Sequence, residues 1–211
     1  DVFRKVVRPL AYTLARGDPE RVHEMSLKAS VEGIDIVREV APQFDFPNLY
    51  VNIKGRKTMP FGPAAGLDKN GDALLPLSLL FGFVEWGTIV ANERRGNERP
   101  RVYADDESQD AYNAQGFPHR GPDVAEENVK AYVDQGGKRN LWTNLCGIPP
   151  DHEKEGISIG KALDIAHDQL GNLVARFEPY SDVMVFNSFS PNTSSLTALR
   201  TPEQFRRSAG S

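Results

Sequence analysis

Short apolar segments alternate with helical stretches from residue 59 onward, and this pattern constrains the fold most strongly. The predicted strands are residues 59–65, 83–90, 140–145 and 182–189. The predicted helices are residues 71–80, 122–134, 158–177 and a last one that begins near residue 201. Strands that alternate with helices form a parallel sheet, and helices that cover such a sheet leave its strands continuously apolar. The pattern therefore predicts an α/β fold.

Polar side chains are concentrated just beyond the carboxyl ends of these predicted strands. They are Asp68, Lys69 and Asn70, then Thr88, then Thr143 and Asn144, and finally Asn187, Ser188, Ser190, Asn192 and Thr193. In (β/α) barrels the active site is built at that end of the strands. The chain has neither a GxGxxG nor a Walker A motif, so the sequence supports neither a dinucleotide-binding domain nor a P-loop.

Composition excludes several classes of protein. The 25 Lys and Arg against 29 Asp and Glu give a net charge of -4, which is a poor match to a general nucleic-acid binder. The four histidines are scattered, so we expect no metal site. The single cysteine, Cys146, has no histidine beside it in sequence, and we expect it to be buried and inert. We expect no secretory signal and no membrane span.

The first forty residues predict two helices. Over residues 1–16 apolar side chains recur every three or four positions, with basic residues on the opposite side, and Pro9 is expected to shorten or kink this helix. The second helix, residues 19–40, follows an Asp18 N-cap. Such a basic amphipathic helix can lie in a membrane interface or pack on its own domain, and the pattern alone favours packing. Residues 42–58 are rich in turn formers and suit a linker with a short strand.

Four motifs, in this order, resemble class 2, quinone-dependent dihydroorotate dehydrogenases. The motifs are Arg8-Pro9-Leu10 with Asp18-Pro19-Glu20 and His23; AAGLDKNG at 64–71; residues 82–88 with 96–101; and NSFSPNT at 187–193, where the family has NxSSPNT. The resemblance implies a (β/α)₈ barrel that holds FMN, preceded by a helical hairpin that sits on a membrane and admits quinone. It raises the membrane alternative for residues 1–40 above the packed one.

The resemblance also implies a division of the chain and a location. Residues 1–41 would be the membrane-associating, quinone-tunnel extension, 42–58 a linker, and 59–211 about the first half of a TIM-type barrel. The protein would be associated with the cytoplasmic face of a bacterial inner membrane or with the mitochondrial inner membrane. Its partners would be dihydroorotate or orotate, quinone, the membrane surface and a chain that supplies the missing half of the barrel.

The implied reaction oxidises dihydroorotate to orotate, with a base at C5 and hydride transfer from C6 to FMN. By the motif match Ser190 is the base, and Thr193 and Phe117 shape its proton relay. The implied substrate contacts are Lys69, Asn113, Gly116, Phe117, Asn187 and Asn192. The implied flavin contacts are Ala65, Gly66, Lys69, Thr88, Asn144 and Asn187. These residues also have purely structural interpretations. Residues 190–192 could simply form a turn, Lys69 could be a solvated lysine after a strand, and the asparagines could cap loops.

Three loops depart from the family pattern. Where the family has NRxGFNNxG, this chain has Ala114, Pro118 and His119 in place of the arginine and the paired asparagines. The loop after Asn144 lacks the family's lysine. Residues 194–200 replace the usual Pro-Gly-Leu-Arg.

Length leaves two functional alternatives open. A complete barrel needs roughly 200 to 250 residues, whereas about 150 follow the N-terminal extension. The chain is then either the N-terminal part of a flavin dehydrogenase, whose remainder lies elsewhere, or a non-catalytic relative that serves as a structural subunit of a larger membrane assembly. The altered loops favour the structural subunit. The retention of Lys69, Asn187, Ser190 and Asn192 together favours the dehydrogenase.

Overall fold

A three-stranded parallel sheet lies at the centre of the fold. The computed structural model describes residues 2–53, 55–105, 108, 110–137 and 140–210. The strands are β1 (Val51–Ile53), β2 (Arg56–Thr58), β3 (Val84–Val90), β4 (Val102–Ala104), β5 (Ala111–Asn113), β6 (Leu141–Cys146) and β7 (Val183–Phe186). The helices are α1 (Arg8–Leu14), α2 (Pro19–Glu32), α3 (Ile34–Val40), α4 (Leu74–Leu80), α5 (Pro122–Asp134), α6 (His152–Glu155), α7 (Ile159–Phe177) and α8 (Pro202–Ala209).

The strands lie side by side in the sheet in the order β3, β6, β7, and they are parallel. Val84 lies opposite Leu141, and Trp142 lies opposite Val183. Helices α4, α5 and α7 cover one side of them. The core there is anchored by Trp86 and Phe177, whose rings meet edge to face at 5.9 Å. The prediction of an α/β fold with a parallel sheet is confirmed, and α5 has the predicted bounds.

The predicted strand at 59–65 is wrong. The segment lies beside β3, where the Phe61 carbonyl accepts from Gly82 N (3.0 Å) and the Pro63 carbonyl from Glu85 N (3.2 Å). Pro60 and Pro63 have no N–H, so the segment cannot form a regular ladder. The last predicted strand also ends early, at Phe186, although Asn187 N still donates to the Leu145 carbonyl of β6 (2.9 Å).

The N-terminal helices are more broken than predicted. A π-helical turn over Phe3–Val7 precedes α1, and Gly33 ends α2 within the predicted 19–40 helix. The predicted cap is present, since the Asp18 carboxylate accepts from Glu20 N (2.9 Å). The apolar side chains Val2, Phe3, Val6, Val7, Leu10 and Leu14 are all exposed. Within the described residues, no helix is long and apolar enough to cross a membrane.

The charged insertion between β3 and α5 is closed at its base by a two-residue bridge. Arg94 N donates to the His119 carbonyl and His119 N donates to the Arg94 carbonyl, both at 2.8 Å. Strands β4 and β5 form an antiparallel hairpin inside the insertion. The His119 ring is 3% exposed, and its Nδ1 accepts from Gly121 N (2.9 Å). The imidazole thereby fixes the turn into α5.

Burial lowers the pKa of His119 from 6.5 to about 4, so the folded protein holds this ring neutral. The unfolded chain binds a proton more readily, so the contribution of His119 to stability is present above pH 6.5 and is lost as the pH falls through 4. We expect this loss to be on the order of 3 kcal/mol in the free energy of unfolding. Urea unfolding between pH 7 and pH 4 measures it.

His119→Gln should remove this part of the pH dependence, while the matched variant His152→Gln, on α6, should retain it. If both variants show the same acid sensitivity as the unaltered chain, His119 does not carry the effect.

Candidate functional site

One cavity of about 820 Å³ brings together almost all the residues that the sequence singled out. It lies at the carboxyl ends of the parallel strands, as predicted. The predicted residues that line it are Ala65, Gly66, Lys69, Thr88, Asn113, Gly116, Phe117, Asn187, Ser190 and Asn192. These residues come from four separate segments of the chain, around residues 65–69, 88, 113–117 and 187–192. Ser190 and Lys69 therefore share a cavity although 120 residues of chain separate them.

The loop that carries Lys69 is held by the buried carboxylate of Asp68. Its two oxygens accept from Gly71 N (2.8 Å), Asp72 N (2.9 Å) and Ala73 N (2.7 Å). Burial raises the pKa of Asp68, while these three hydrogen bonds favour the charged form. The Asp68 carbonyl also accepts from Gly87 N (2.9 Å), so the loop is tied directly to β3.

The Lys69 ammonium group is partly desolvated in this cavity. Burial is the main reason that its pKa is lowered, and the Arg101 guanidinium lowers it further. The carboxylate of Glu20 acts in the opposite direction. A cation with incomplete solvation and an open cavity beside it is suited to bind an anionic ligand group.

Thr88 reaches the cavity because the ladder between β3 and β6 is irregular at this point. Gly87 pairs with Asn144 and Ile89 with Leu145, which leaves Thr88 as the extra residue of a bulge. Gly87 has φ +105°, and a Cβ there would lie 2.5 Å from the Asn144 carbonyl oxygen. Only glycine permits this close approach, and the approach turns Thr88 toward the cavity.

A chain of hydrogen bonds connects three of the predicted polar residues. Asn187 Nδ2 donates to Thr88 Oγ1 (3.2 Å), which donates to Asn144 Oδ1 (2.7 Å). Asn144 Nδ2 in turn donates to Glu85 Oε1 (2.7 Å). Asn144 is buried and does not line the cavity, although we expected it to touch a flavin. Its position fixes the hydroxyl of Thr88 and, through it, the amide of Asn187.

The turn that carries Ser190 is held by Arg200. Its guanidinium donates from Nε to the Ser188 carbonyl (3.3 Å) and from Nη2 to the Ser190 carbonyl (2.9 Å). Asn192 Nδ2 donates to the Asn113 carbonyl (3.3 Å), which connects this turn with strand β5. The side of the cavity formed by residues 187–192 is thus attached to the insertion.

The loop at 113–117 keeps a defined shape despite its altered sequence. Gly116 has φ +67°, and a Cβ there would lie 2.7 Å from Asn97 Oδ1. Phe117 also has a left-handed backbone, with φ +55°, which is rare for an aromatic residue. Asn97 Nδ2 donates to the Ala114 carbonyl (2.7 Å), so backbone contacts hold the loop where the family has an arginine.

Two cavity residues that sequence reasoning did not assign come from helix α2. Glu20 and His23 line the cavity, and His23 Nε2 donates to the Leu67 carbonyl (2.5 Å). Both belong to the stretch that follows the Asp18 cap, which the motif match had noted. Their role was not visible because it depends on how the helical hairpin packs against the loop at 64–71.

The remaining expectations concern Cys146, Thr193 and metals. Cys146 is buried, and burial raises the pKa of its thiol to about 12, so it is inert as predicted. Thr193 is buried and lines a neighbouring cleft rather than this cavity. The described residues contain no cluster of three or more His, Cys, Asp or Glu side chains that could hold a metal ion.

Two curated relatives show what this chain is similar to. A protein of Erythrobacter litoralis named dihydroorotate dehydrogenase (quinone) is 32% identical over 199 residues, which are 92% of this chain and 51% of the relative. A mitochondrial dihydroorotate dehydrogenase (quinone) of Mus musculus is 34% identical over 198 residues, 90% of this chain and 46% of the relative. The chain spans about half the length of the curated relatives that it matches.

The fold matches a solved structure of the same kind. The crystal structure of the Eimeria tenella enzyme DHODH in complex with ferulenol superimposes with a TM-score of 0.73 and 29% sequence identity, over 92% of this chain and 49% of that one. The partial (β/α) barrel predicted from the sequence is thereby confirmed. A family model described as dihydroorotate dehydrogenase matches residues 48–209, which is most of the chain. The chain therefore belongs to the dihydroorotate dehydrogenase family.

Proposed function

We propose that this chain forms the first half of a flavin-dependent, quinone-reducing dihydroorotate dehydrogenase and carries its substrate-binding and proton-abstracting residues. The observation that supports this most is the cavity shared by Lys69, Asn187, Ser190 and Asn192. The reaction converts dihydroorotate to orotate, a step of pyrimidine biosynthesis. Activity then requires the remainder of the barrel, from continuing polypeptide or from another chain.

Lys69 binds the carboxylate of dihydroorotate in this proposal. Among the described residues that line the cavity, Lys69 is the one lysine or arginine. The amides of Asn113, Asn187 and Asn192 offer both donors and acceptors to the flat ring and its carboxylate. Asn187 is the best oriented of the three, because its Nδ2 is engaged by Thr88 and its Oδ1 accepts from Phe189 N (3.3 Å).

Ser190 acts as the base that removes the proton from C5. A serine hydroxyl does this only if its own proton can move on and if the cavity excludes bulk water. The Arg200 contacts fix the backbone of the turn and so fix the position of the hydroxyl. Phe117, with its constrained backbone, contributes an apolar wall to the same cavity.

Dihydroorotate dehydrogenases depend on a flavin, and we propose FMN in this cavity. When bound, FMN would supply the acceptor for the hydride that leaves C6 of the substrate. The space above Gly66 fits a flat ring, since a Cβ on this residue would meet nothing within 4 Å. Thr88, Asn187 and Lys69 would contact the ring edge, with Ala65 beside them. The single cationic side chain of the lining is assigned to the substrate, so we place the phosphate site in the other half of the barrel.

A second cavity, of about 610 Å³, adjoins the first along helix α2 and suits the entry of quinone. It shares His23, Leu67 and Lys69 with the first cavity, and Leu27 and Val31 of α2 add apolar surface. The exposed apolar side chains between Val2 and Leu14 suit contact with a membrane surface. We propose that residues 1–41 form this membrane-associating extension, on a bacterial or mitochondrial inner membrane.

The missing half of the barrel would join at β7. Within the described part of the chain this strand pairs with β6 alone, so its other edge is open to a further parallel strand. Phe189, shortly after the end of β7, and Phe205 of helix α8 are both exposed, with ring centroids 6.2 Å apart. Such aromatic surface is suited to contact with a neighbouring barrel segment.

Lys69→Met should weaken the binding of orotate by about 10- to 100-fold, because a charge-assisted hydrogen bond contributes about 1.5–3 kcal/mol. Lys57→Met, which removes an exposed lysine on β2, is the matched control and should leave the affinity unchanged. Isothermal titration calorimetry with orotate measures both. Absence of orotate binding to the unaltered protein would contradict the proposed function, and equal affinities of the two variants would remove Lys69 from it.

Ser190→Ala should lower the rate of dihydroorotate oxidation by about 10²- to 10⁴-fold and leave orotate affinity unchanged, because the hydroxyl acts on the C5 proton rather than in binding. The measurement uses the flavin-containing assembly, with Ser194→Ala as the control, because Ser194 is an exposed serine shortly after this turn.

If Ser190→Ala lowers affinity as much as rate, the residue shapes a turn and is not the base. If the unaltered assembly contains flavin and yet does not oxidise dihydroorotate, the chain is the non-catalytic structural subunit that its altered loops also suit.

A further inference from the structure

We propose that Glu20 of helix α2 is a specificity-determining residue that limits the cavity to ligands with a single carboxylate. It does so by neutralising Arg101, so that Lys69 is the one cation left to meet the ligand. This inference rests on the proposed function, since it concerns the ligand that Lys69 binds. It also gives the helical hairpin a role in ligand selection that is separate from any contact with a membrane.

The pair formed by Glu20 and Arg101 is almost completely withdrawn from solvent. The Glu20 side chain is 4% exposed and that of Arg101 is 6% exposed. Arg101 Nε donates to both carboxylate oxygens (3.1 and 3.0 Å) and Nη2 donates to Oε1 (2.7 Å). A buried charge pair with this geometry becomes costly if either partner loses its charge, because the other is left buried and uncompensated.

The other donors of Arg101 are used within the insertion. Nη1 donates to the carbonyls of Arg95 (2.6 Å) and Asn97 (2.8 Å). The guanidinium is therefore held in one orientation by its own loop, with Nε and Nη2 directed at Glu20. If Glu20 lost its charge, these two donors would stay in place and become available to another anion.

Glu20 lies between Arg101 and the ligand cavity. Its side chain lines both the first cavity, of 820 Å³, and the second cavity, of 610 Å³, whereas Arg101 lines only the second. The carboxylate thus covers the arginine on the side that a ligand would approach. The same carboxylate is close enough to Lys69 to raise its pKa, against the lowering by Arg101.

The position of the cations gives the selectivity its direction. Arg99 joins the group through Nε to Glu20 (3.2 Å) and Nη2 to Glu24 (2.5 Å). Lys69, Arg99 and Arg101 lie near the carboxylates of Glu20, Glu24 and Asp68, and of the three cations Lys69 alone lines the ligand cavity. One carboxylate on the ligand pairs with Lys69. A second would be buried without a partner and opposed by Glu20.

Glu20→Gln keeps the shape of the side chain and removes its charge. We expect the affinity for pyridine-2,6-dicarboxylate, relative to that for orotate, to rise about tenfold, which corresponds to about 1.4 kcal/mol. Glu20→Asp should preserve the original ratio. Glu24→Gln makes the same change of charge at a side chain that is 54% exposed and outside the ligand cavity, and it should have little effect. Calorimetric titration of each variant with both compounds gives the ratios.

The double variant Glu20→Gln, Arg101→Gln should return the ratio to its original value, since the exposed donors are then gone. Arg101→Gln alone should shift the ratio the other way, which keeps the test decisive if Glu20→Gln fails to fold. Unchanged ratios in folded variants of both residues, with orotate bound by the unaltered protein, would overturn this inference alone. If the unaltered protein binds neither compound, the proposed function fails and this inference fails with it.

Discussion

The carboxylate of Asp68 is the contact on which the site depends. It is 1% exposed and accepts hydrogen bonds from three successive backbone N–H groups, at Gly71, Asp72 and Ala73. These contacts turn the chain sharply between the segment beside β3 and helix α4. Lys69 lies within that turn, so the direction of its ammonium group follows from the position of a carboxylate that does not itself meet the ligand.

The same arrangement recurs around the cavity, where each residue proposed to act is fixed by one that lies behind it. Asn144 holds Thr88, and Arg200 holds the turn of Ser190. Arg101, held by the carbonyls of Arg95 and Asn97, fixes the carboxylate of Glu20. Because these supporting groups hydrogen-bond to the residues that line the cavity, the polar side chains of the lining can be well ordered.

The sequence was sufficient to predict the parts of this structure that depend on local pattern and known motifs. Apolar runs predicted the three parallel strands β3, β6 and β7, and most of the residues singled out, which come from four separate segments of the chain, share one cavity. The prediction of a strand at 59–65 was wrong, because Pro60 and Pro63 cannot donate hydrogen bonds to a ladder although the segment is hydrophobic. Three features depend on contacts between distant segments of the chain: the bulge at Thr88, the position of Asn144 outside the cavity and the position of Glu20 in its lining. No local pattern encodes such contacts.

The chain holds a cavity lined by one lysine and three asparagines, and within the described residues its parallel sheet has an open edge at β7. It spans about half of its curated relatives. These facts agree with a site that is completed by further barrel strands, which would bind the flavin phosphate. The altered loops do not remove the side chains that the proposed chemistry needs, since Lys69, Asn187, Ser190 and Asn192 all line the cavity.

The most direct measurement is the visible absorption spectrum of the protein, purified together with whatever polypeptide accompanies it, before and after dihydroorotate is added without oxygen. The account predicts oxidised flavin bands that bleach on addition of dihydroorotate and return when a quinone is supplied. A colourless protein that copurifies with a fixed set of partners, or a yellow one whose bands do not respond to dihydroorotate, would contradict it.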